Sequence, residues 1–145
     1  MIKPETQFKH TLSELLWKKG HMVQAIETRV RAGVPDLYVA GHCDPVIYDV
    51  PYFFTWIELK KINKPFPIDN KKSVKIPFRP GQQEWAMDHY SKTGKPVVLL
   101  VCFTDGWYGL RLTQLYQDKY IPVSKFQCVA LPGQEWYPKL LDLIA

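Results

Sequence analysis

Apolar and polar residues recur with two different periods along this chain, which predicts both helices and strands. Phe8 and three leucines recur at helical spacing between Glu5 and Lys19, and Gly20 follows the run. An apolar stripe that is followed by glycine is typical of an amphipathic helix and its C-terminal cap. The stretch from Met22 to Thr28 then predicts a short strand.

The middle of the chain predicts a β-hairpin. Residues Asp36 to Ala40 and Phe53 to Lys60 are rich in β-branched and aromatic residues, and turn formers lie between them. A second helix is expected from Gln82 to Lys92, because Pro-Gly precedes it and Gly94 follows it. The apolar run VVLLVCF, which comes next, is typical of a buried central strand.

The remaining elements complete an α/β prediction. They are a strand at Trp107 to Leu112, a short helix at Thr113 to Asp118, a strand at Phe126 to Leu131, and a last helix at Glu135 to Ile144. The fold class expected is α/β, with a mixed central β-sheet flanked by α-helices. A length of 145 residues fits a single domain that spans 1–145.

The segment from Lys61 to Pro80 differs from the rest because it is rich in both proline and basic residues. Proline removes backbone donors, so a loop or an irregular edge strand is expected. Two interpretations stay open: a solvated surface loop, or a flexible basic arm that meets phosphates. The candidate nucleic-acid contacts in it are Lys61, Lys64, Lys71, Lys72, Lys75 and Arg79, and Arg29 and Arg31 are further candidates earlier in the chain.

The net charge narrows the partner class only a little. Nineteen Lys and Arg against 14 Asp and Glu give a net charge of +5, which favours a polyanionic partner such as nucleic acid.

Three widely spaced cysteines without a C-x-x-C pair indicate a reducing compartment. No run resembles a signal peptide or a membrane span, so we expect a soluble protein of the cytoplasm, in a bacterium or in a cell infected by its virus.

Three charged residues lie where strands begin and end. Asp36 opens one predicted strand. Glu58 and Lys60 lie two positions apart at the end of the next strand, so their side chains point to the same face. If the strands pair, Asp36 approaches Glu58, and two close carboxylates need a cation. Mg²⁺ suits such oxygen ligands, and the carbonyl of Leu59 is a further candidate ligand. Alternatively, Asp36 belongs to an ordinary turn, and Glu58 and Lys60 to a solvated strand face.

The sequence context favours the metal site over that alternative. Gly and Pro place Asp36 at a bend. The E-x-K residues end the aromatic-rich strand FFTWI, and a solvated surface position explains a charged pair there poorly. A divalent ion held there polarises a phosphate oxygen and lowers the pKa of a water molecule. Lys60 can orient that water or stabilise the negative charge that develops on the phosphate.

These residues resemble the PD-(D/E)XK nucleases, and most closely the VRR-NUC group and the Holliday junction resolvases. The match consists of Pro35-Asp36 and Glu58-Leu59-Lys60, separated by 58 − 36 = 22 positions, within the ordered series R-x-G-V-P-D-L, I-E-L-K and a glutamine-led helix. The resemblance implies a restriction-endonuclease-like core and an activity that depends on Mg²⁺ or Mn²⁺. It also implies an acidic residue from the first helix and a supporting glutamine from the second.

Helical phase selects candidates for those two roles. At about 100° per residue, Glu5 falls inside the stripe of Phe8 and the leucines, whereas Glu14 falls opposite it. Glu5 is therefore the candidate metal-site acid, although an acid at a helix start also interacts favourably with the macrodipole. Gln83 shares a face with Ala86, Met87 and Tyr90, so it is the candidate supporting residue. The alternative for Gln83 is an amide that satisfies backbone donors at the helix start.

Together these features predict a metal-dependent DNA endonuclease. No separate region for base readout is evident, so selectivity for junctions, flaps or branched DNA is expected rather than sequence specificity. A homodimer is expected by analogy only. The alternatives are a non-catalytic nucleic-acid-binding module, a nuclease that acts on RNA, or a nickase within a larger complex.

Overall fold

The computed structural model describes residues 4–26, 33, 35–42 and 52–144, with the side chains of residues 4, 5, 42 and 52–54 outside the description. Three helices and eight strands lie in these ranges. In chain order they are α1 (Pro4–Lys18), β1 (Met22–Ala25), β2 (Leu37–His42), β3 (Tyr52–Lys61), β4 (Ser73–Lys75), α2 (Gln82–Thr93), β5 (Val97–Phe103), β6 (Gly106–Leu112), β7 (Tyr120–Pro122), β8 (Gln127–Ala130) and α3 (Tyr137–Ile144).

Six of the strands form one mixed sheet in the order β1-β2-β3-β5-β6-β8. The pairing of β3 with β5 is parallel, and the other four pairings are antiparallel. The predicted α/β class is thus confirmed, as are the antiparallel pairing of β2 with β3 and the central position of the apolar strand β5. None of the helices in the described ranges is long and apolar enough to span a membrane.

The sheet separates two hydrophobic cores. On one face α1 and α3 pack against β3, with Phe8, Leu12 and Leu16 in contact with the core that holds Ile57 and Leu59. On the other face α2 covers a second core around Leu99, Val101 and the 74–78 segment. Successive side chains of a strand point to opposite faces, so Glu58 and Lys60 lie on the α2 face of β3.

The proline-rich segment from Lys61 to Pro80 is anchored on the second core. Val74, Ile76 and Phe78 are buried there, and β4 pairs with β7 in a separate two-stranded sheet. Phe66 stacks on Tyr108 with ring centroids 3.8 Å apart. The basic side chains of the segment are nevertheless exposed, so it forms a basic surface on an apolar base.

The prediction of a short helix at Thr113 to Asp118 is wrong. A single 3-10 turn at Gln117–Lys119 occupies its end, and Asp118 and Lys119 have φ values of 55° and 65°. Tyr116 is buried in the second core, which pulls the chain inward before it enters β7. Non-local packing therefore overrides local helical propensity in this segment.

Candidate active site

Asp36 lies where β3 extends beyond its partner. The β2–β3 pairing begins at Leu37 opposite Ile57, so the edge of β3 beyond residue 57 has no partner in β2. The side chain of Asp36 fills that place, because its Oδ2 accepts a hydrogen bond of 2.9 Å from the backbone N–H of Leu59. The antiparallel register thus brings the carboxylate of Asp36 beside Glu58, as predicted from the two strands.

Glu58 and Lys60 form a buried ion pair on the α2 face. Nζ of Lys60 lies 3.4 Å from Oε1 of Glu58, and the side chains of Lys60 and Glu58 are only 2% and 3% exposed. Burying two charges is costly, and an apolar pair of similar size is often at least as stable. The prediction that Glu58 and Lys60 point the same way is confirmed, whereas the alternative of a solvated strand face is wrong.

The environment of Glu58 disfavours its negative charge. Burial raises the pKa of Glu58 well above its ordinary value of 4.5, and the nearby charge of Asp36 raises this pKa further. Lys60 acts in the opposite direction without outweighing the other two effects. Two carboxylates that repel each other in a buried place are an arrangement that a divalent cation stabilises.

Gln82, and not Gln83, is the glutamine that contacts the site. Nε2 of Gln82 donates to Oε1 of Glu58 at 2.9 Å, and Oε1 of Gln82 accepts from the backbone N–H of Arg79 at 2.8 Å. The second contact fixes the orientation of the amide, so its nitrogen faces the carboxylate. The prediction that assigned this role to Gln83 is therefore wrong.

Gln83 binds the backbone of Tyr116 instead. Its Oε1 accepts from the N–H of Tyr116 at 2.8 Å, and its Nε2 donates to the carbonyl of the same residue at 3.3 Å. The buried face of α2 runs through Gln82 and Ala86, whereas Met87 and Tyr90 are half-buried. The phase of the helix is thus one residue away from the predicted one.

Two glycines bring the Asp36 turn and the start of α2 together. Gly33 has a φ of 89°, and a Cβ placed on it would lie 2.1 Å from the carbonyl oxygen of Gly81. Any side chain at Gly33 would therefore force the two segments apart. Gly81 itself caps α2 with a φ of 88°, directly before Gln82. The predicted bend before Asp36 thus has a packing role that the turn pattern alone does not reveal.

Lys9 is a site neighbour that sequence reasoning missed. Its Nζ lies 3.9 Å from Oδ1 of Asp36, and both side chains are largely buried, at 12% and 13% exposure. At about 100° per residue, Lys9 falls one step from Phe8 and flanks the apolar stripe on the same side as Glu5. The helical phase that selected Glu5 therefore also carried a signal for Lys9.

The other predicted site residues are placed only in part. Glu5 lies in the first turn of α1, but its side chain is outside the description, and so are Arg29 and Arg31 entirely. The basic residues of the 61–80 segment are all exposed. These are Lys61, Lys64, Lys71, Lys72, Lys75 and Arg79.

The donors present fit a hard divalent cation. Within the described ranges no cluster of three or more His, Cys, Asp or Glu side chains occurs, so the acidic pair Asp36 and Glu58 forms the core of the site. The N–H and C=O of one strand residue leave the same edge, so the carbonyl of Leu59 is directed to the side of Asp36. Mg²⁺ is commonly held by one or two carboxylates and keeps several waters, which matches this small set of oxygen donors.

The fold is similar to that of a known resolvase. A Holliday junction resolvase from the archaeal hyperthermophile Archaeoglobus fulgidus matches with a TM-score of 0.52 and 14% sequence identity, over 82% of this chain and 88% of that one. At this identity the likeness shows the fold alone, a mixed sheet flanked by helices as in the resolvase. The sequence matches no family model and no curated protein.

Proposed function

We propose that this protein is a metal-dependent endonuclease that hydrolyses DNA phosphodiester bonds, with Asp36, Glu58 and Lys60 as its catalytic residues. The observation that carries the proposal is the convergence of two carboxylates and a buried lysine at the end of a strand pair. The resolvase-like fold supports it. We further assign the chain to the PD-(D/E)XK superfamily, near the VRR-NUC group and the Holliday junction resolvases, on the P-D and E-x-K residues.

Each residue of the site has a distinct role in the proposed reaction. Asp36 and Glu58 would hold Mg²⁺ or Mn²⁺ together with the carbonyl of Leu59, and Glu5 is a candidate for a further contact. The ion, when bound, supplies a Lewis acid that polarises a phosphate oxygen and lowers the pKa of water. Lys60 orients the attacking water and stabilises the negative charge that develops on the phosphate.

Gln82 and Lys9 position the two carboxylates. Gln82 donates to Glu58 and is itself held by the backbone of Arg79, so it restricts the rotation of the Glu58 carboxylate. Lys9 contacts Oδ1 of Asp36, whereas the backbone of Leu59 binds Oδ2 of the same carboxylate. Residues that hold metal ligands in place commonly change metal affinity or activity by about 10- to 100-fold when they are replaced.

The basic surface of the 61–80 segment gives the enzyme its contact with DNA. Lys71 and Lys72 are exposed, and the chain beneath them is anchored by backbone bonds to Asp69 and Val123. Phosphate contacts of this kind fix position without reading sequence. Replacing both Lys71 and Lys72 by alanine should flatten the salt dependence of DNA binding, with a change in slope of about one for each phosphate that the variant no longer neutralises.

Branched DNA is the substrate class that we propose, and a homodimer is the proposed assembly. The name of the structurally similar protein gives the substrate to test first, a four-way junction. Two active sites in a dimer would face two strands of such a junction. Sedimentation of the intact protein tests the dimer independently of activity.

The decisive experiment compares cleavage of four-way, flap and linear DNA by the intact protein with Mg²⁺, with Mn²⁺ and with EDTA. We expect cleavage only with a divalent ion, and faster cleavage of the branched substrates. Asp36→Ala and Lys60→Ala should each lower the rate at least about 10²-fold. The exposed Lys92→Ala in α2 is the matched control and should cleave normally, because Lys92 pairs with Asp88 on the surface of the helix.

Three outcomes would contradict the proposal in different ways. Cleavage that survives both Asp36→Ala and Lys60→Ala would place the active site elsewhere. Binding without cleavage by the intact protein would indicate a non-catalytic binding module or a subunit that needs partners. Cleavage of RNA in preference to DNA would overturn the substrate class while leaving the chemistry in place.

A further inference from the structure

A row of aromatic rings lies directly beside the acidic pair, on the α2 face of the sheet. Tyr38 of β2 is paired with Trp56 of β3. Asp36 precedes Tyr38 by two positions and Glu58 follows Trp56 by two positions, so the aromatic pair and the acidic pair are successive rows of the same face. Two residues of strand, about 7 Å, separate the two rows.

Helix α2 continues the aromatic row across β3. Trp85 follows Gln82 by about one helical turn, so Trp85 contacts Trp56 where Gln82 contacts Glu58. The ring centroids of Trp56 and Trp85 are 5.3 Å apart with planes at 70°, and those of Tyr38 and Trp56 are 5.1 Å apart with planes at 57°. The row therefore runs from β2 over β3 to α2, beside the two carboxylates and the amide of the site.

His89 holds the α2 end of this aromatic row. Its ring stacks on Trp85 with centroids 5.2 Å apart and planes 13° from parallel, and its Nδ1 donates to the carbonyl of Lys95 at 2.9 Å. All four rings, those of Tyr38, Trp56, Trp85 and His89, are half-buried, so packing holds them while part of each stays in solvent. Aromatic faces of this kind are platforms on which nucleic-acid bases stack.

The position of the row distinguishes it from a tryptophan pair on the opposite face of the sheet. Trp107 and Trp136 are also half-buried and lie 6.0 Å apart, but they pack on the core under α1 and α3. Glu58 and Lys60 point away from that core. A base stacked on Trp56 would thus share a face with the candidate active site, whereas a base at Trp107 or Trp136 would not.

The charges near the row suit a nucleotide whose phosphate lies at the site. Lys60 is buried in the site, and Arg79 is exposed just before α2 begins. The acidic residues Glu84 and Asp88 of α2 are exposed, and Asp88 pairs with Lys92 at 3.1 Å. A nucleobase is uncharged and needs only the faces of the rings, while its phosphate meets the cations of the site.

The spacing between the two rows also matches a nucleotide chain. Stacked nucleotides rise about 3.4 Å each, so rings about 7 Å from the carboxylates lie within two nucleotides of a phosphate held there. We propose that Trp56 and Trp85 stack one unpaired base of the DNA within two nucleotides of the phosphate that is cleaved.

This inference rests on the proposed endonuclease function and gives it a substrate determinant. A base that is free to leave the stack occurs at a branch point or a flap. A base of intact duplex must first be unstacked, which carries an energetic cost that an already unpaired base avoids. The aromatic row therefore favours branched over linear DNA without reading sequence.

The test places 2-aminopurine at each position of a short branched DNA in turn, and measures its fluorescence on binding of the intact protein in EDTA. We expect one unpaired position to change its signal, within two nucleotides of the cut that is mapped separately with a divalent ion. An abasic site at that position should weaken binding about 5- to 150-fold, the range found when base–aromatic stacking is removed.

Variants of the two tryptophans identify the platform. Trp56→Leu and Trp85→Leu should each reduce the fluorescence change and the penalty of the abasic site, whereas Trp56→Phe should keep both, because a ring remains. A purely structural role would instead weaken the binding of intact and abasic DNA equally. Circular dichroism of each variant confirms that it folds.

Trp136→Leu is the matched control for these variants. Trp136 is also a half-buried tryptophan that packs against a second one, but it lies on the opposite face of the sheet. We expect this variant to keep both the fluorescence change and the penalty of the abasic site. Loss of both readouts in Trp136→Leu would overturn the assignment to Trp56 and Trp85.

The failure of this proposal is distinguishable from failure of the proposed function. Metal-dependent cleavage with no responsive position, or a response that survives in both Trp56→Leu and Trp85→Leu, would overturn the stacking contact alone. Absence of any DNA binding would overturn both proposals. A monomer from Trp56→Leu where the intact protein is a dimer would also overturn the stacking contact, because it would assign the aromatic row to a contact between two copies of the chain.

Discussion

The two faces of β3 are equally buried but chemically opposite. Ile57 and Leu59 lie among the apolar side chains of the core under α1 and α3, whereas Glu58 and Lys60 carry charge into the core on the other side. Apolar burial stabilises the fold at each residue, while a buried ion pair commonly contributes little or nothing net. This difference is the one expected if one face of the strand maintains the fold and the other performs the chemistry of the proposed endonuclease.

The largest expected effect comes from making the charged face apolar. The double variant Glu58→Gln with Lys60→Met should lower cleavage at least about 10³-fold, because it removes the proposed metal ligand and the lysine proposed to stabilise the developing charge. Its stability should be unchanged or greater by about 1–4 kcal/mol, since an amide at residue 58 still accepts from Gln82 and no charge is buried. Cleavage rates and urea unfolding measure the two quantities. A decrease in stability would show that the ion pair supports the fold.

The apolar face should show the reverse behaviour. Ile57→Ala removes a side chain that is fully buried, so unfolding should be easier by about 2–5 kcal/mol. The protein that remains folded should cleave at a rate close to that of the intact chain. Urea unfolding and the cleavage rate per folded molecule test this. A collapse of activity without a matching decrease in stability would contradict the division between the two faces.

The two adjacent glutamines of α2 offer a smaller and sharper comparison. Gln82→Ala should lower cleavage about 10- to 100-fold, because the Glu58 carboxylate loses the donor that orients it. Gln83→Ala should cost about 1 kcal/mol of stability, because it frees the backbone of Tyr116, and should leave cleavage nearly unchanged. Equal effects of the two variants on cleavage would contradict the assignment of Gln82 to the site.

The last expected effect is a dependence of stability on pH in EDTA. The pKa of Glu58 is raised on folding, so the folded state binds a proton more tightly than the unfolded state. The free energy of unfolding should therefore fall as pH rises from about 4.5, the unfolded value, through the folded pKa, by about 1.4 kcal/mol for each unit between them. Glu58→Gln should lack this decrease, so its stability relative to the intact protein should grow across that window. Parallel curves would contradict the raised pKa.

Much of the fold follows from short-range patterns in the sequence. The strand that contains Glu58 and Lys60, the apolar run of β5 and the stripe of α1 each bury most of the residues that their patterns predict, and Leu15 of the stripe is half-buried. The alternation of side chains along a strand is enough to predict that Glu58 and Lys60 share a face. The approach of Asp36 required only that β2 and β3 pair.

The features that sequence reasoning missed depend on contacts between distant segments. Gln82 and Gln83 have the same chemistry, and the choice between them depends on Glu58 and Tyr116, which lie 24 and 33 residues away in the chain. The three-residue strands β4 and β7 are too short for a periodic signal and exist because they pair with each other. Lys9 was visible in the helical phase, but a lysine beside an apolar stripe ordinarily keeps its charged end in water.

The contact between Gly33 and Gly81 has a consequence for the order of folding. It joins residues separated by 81 − 33 = 48 positions, across the whole crossover from β2 to α2. Long-range contacts of this kind form only after the entropy of loop closure has been overcome, so they come late relative to local hairpins. A partly folded chain in which β2 and β3 have paired therefore has Asp36, Glu58 and Lys60 together but still lacks the amide of Gln82. The site is complete only when the start of α2 has docked beside the Asp36 turn, where Gln82 reaches Glu58.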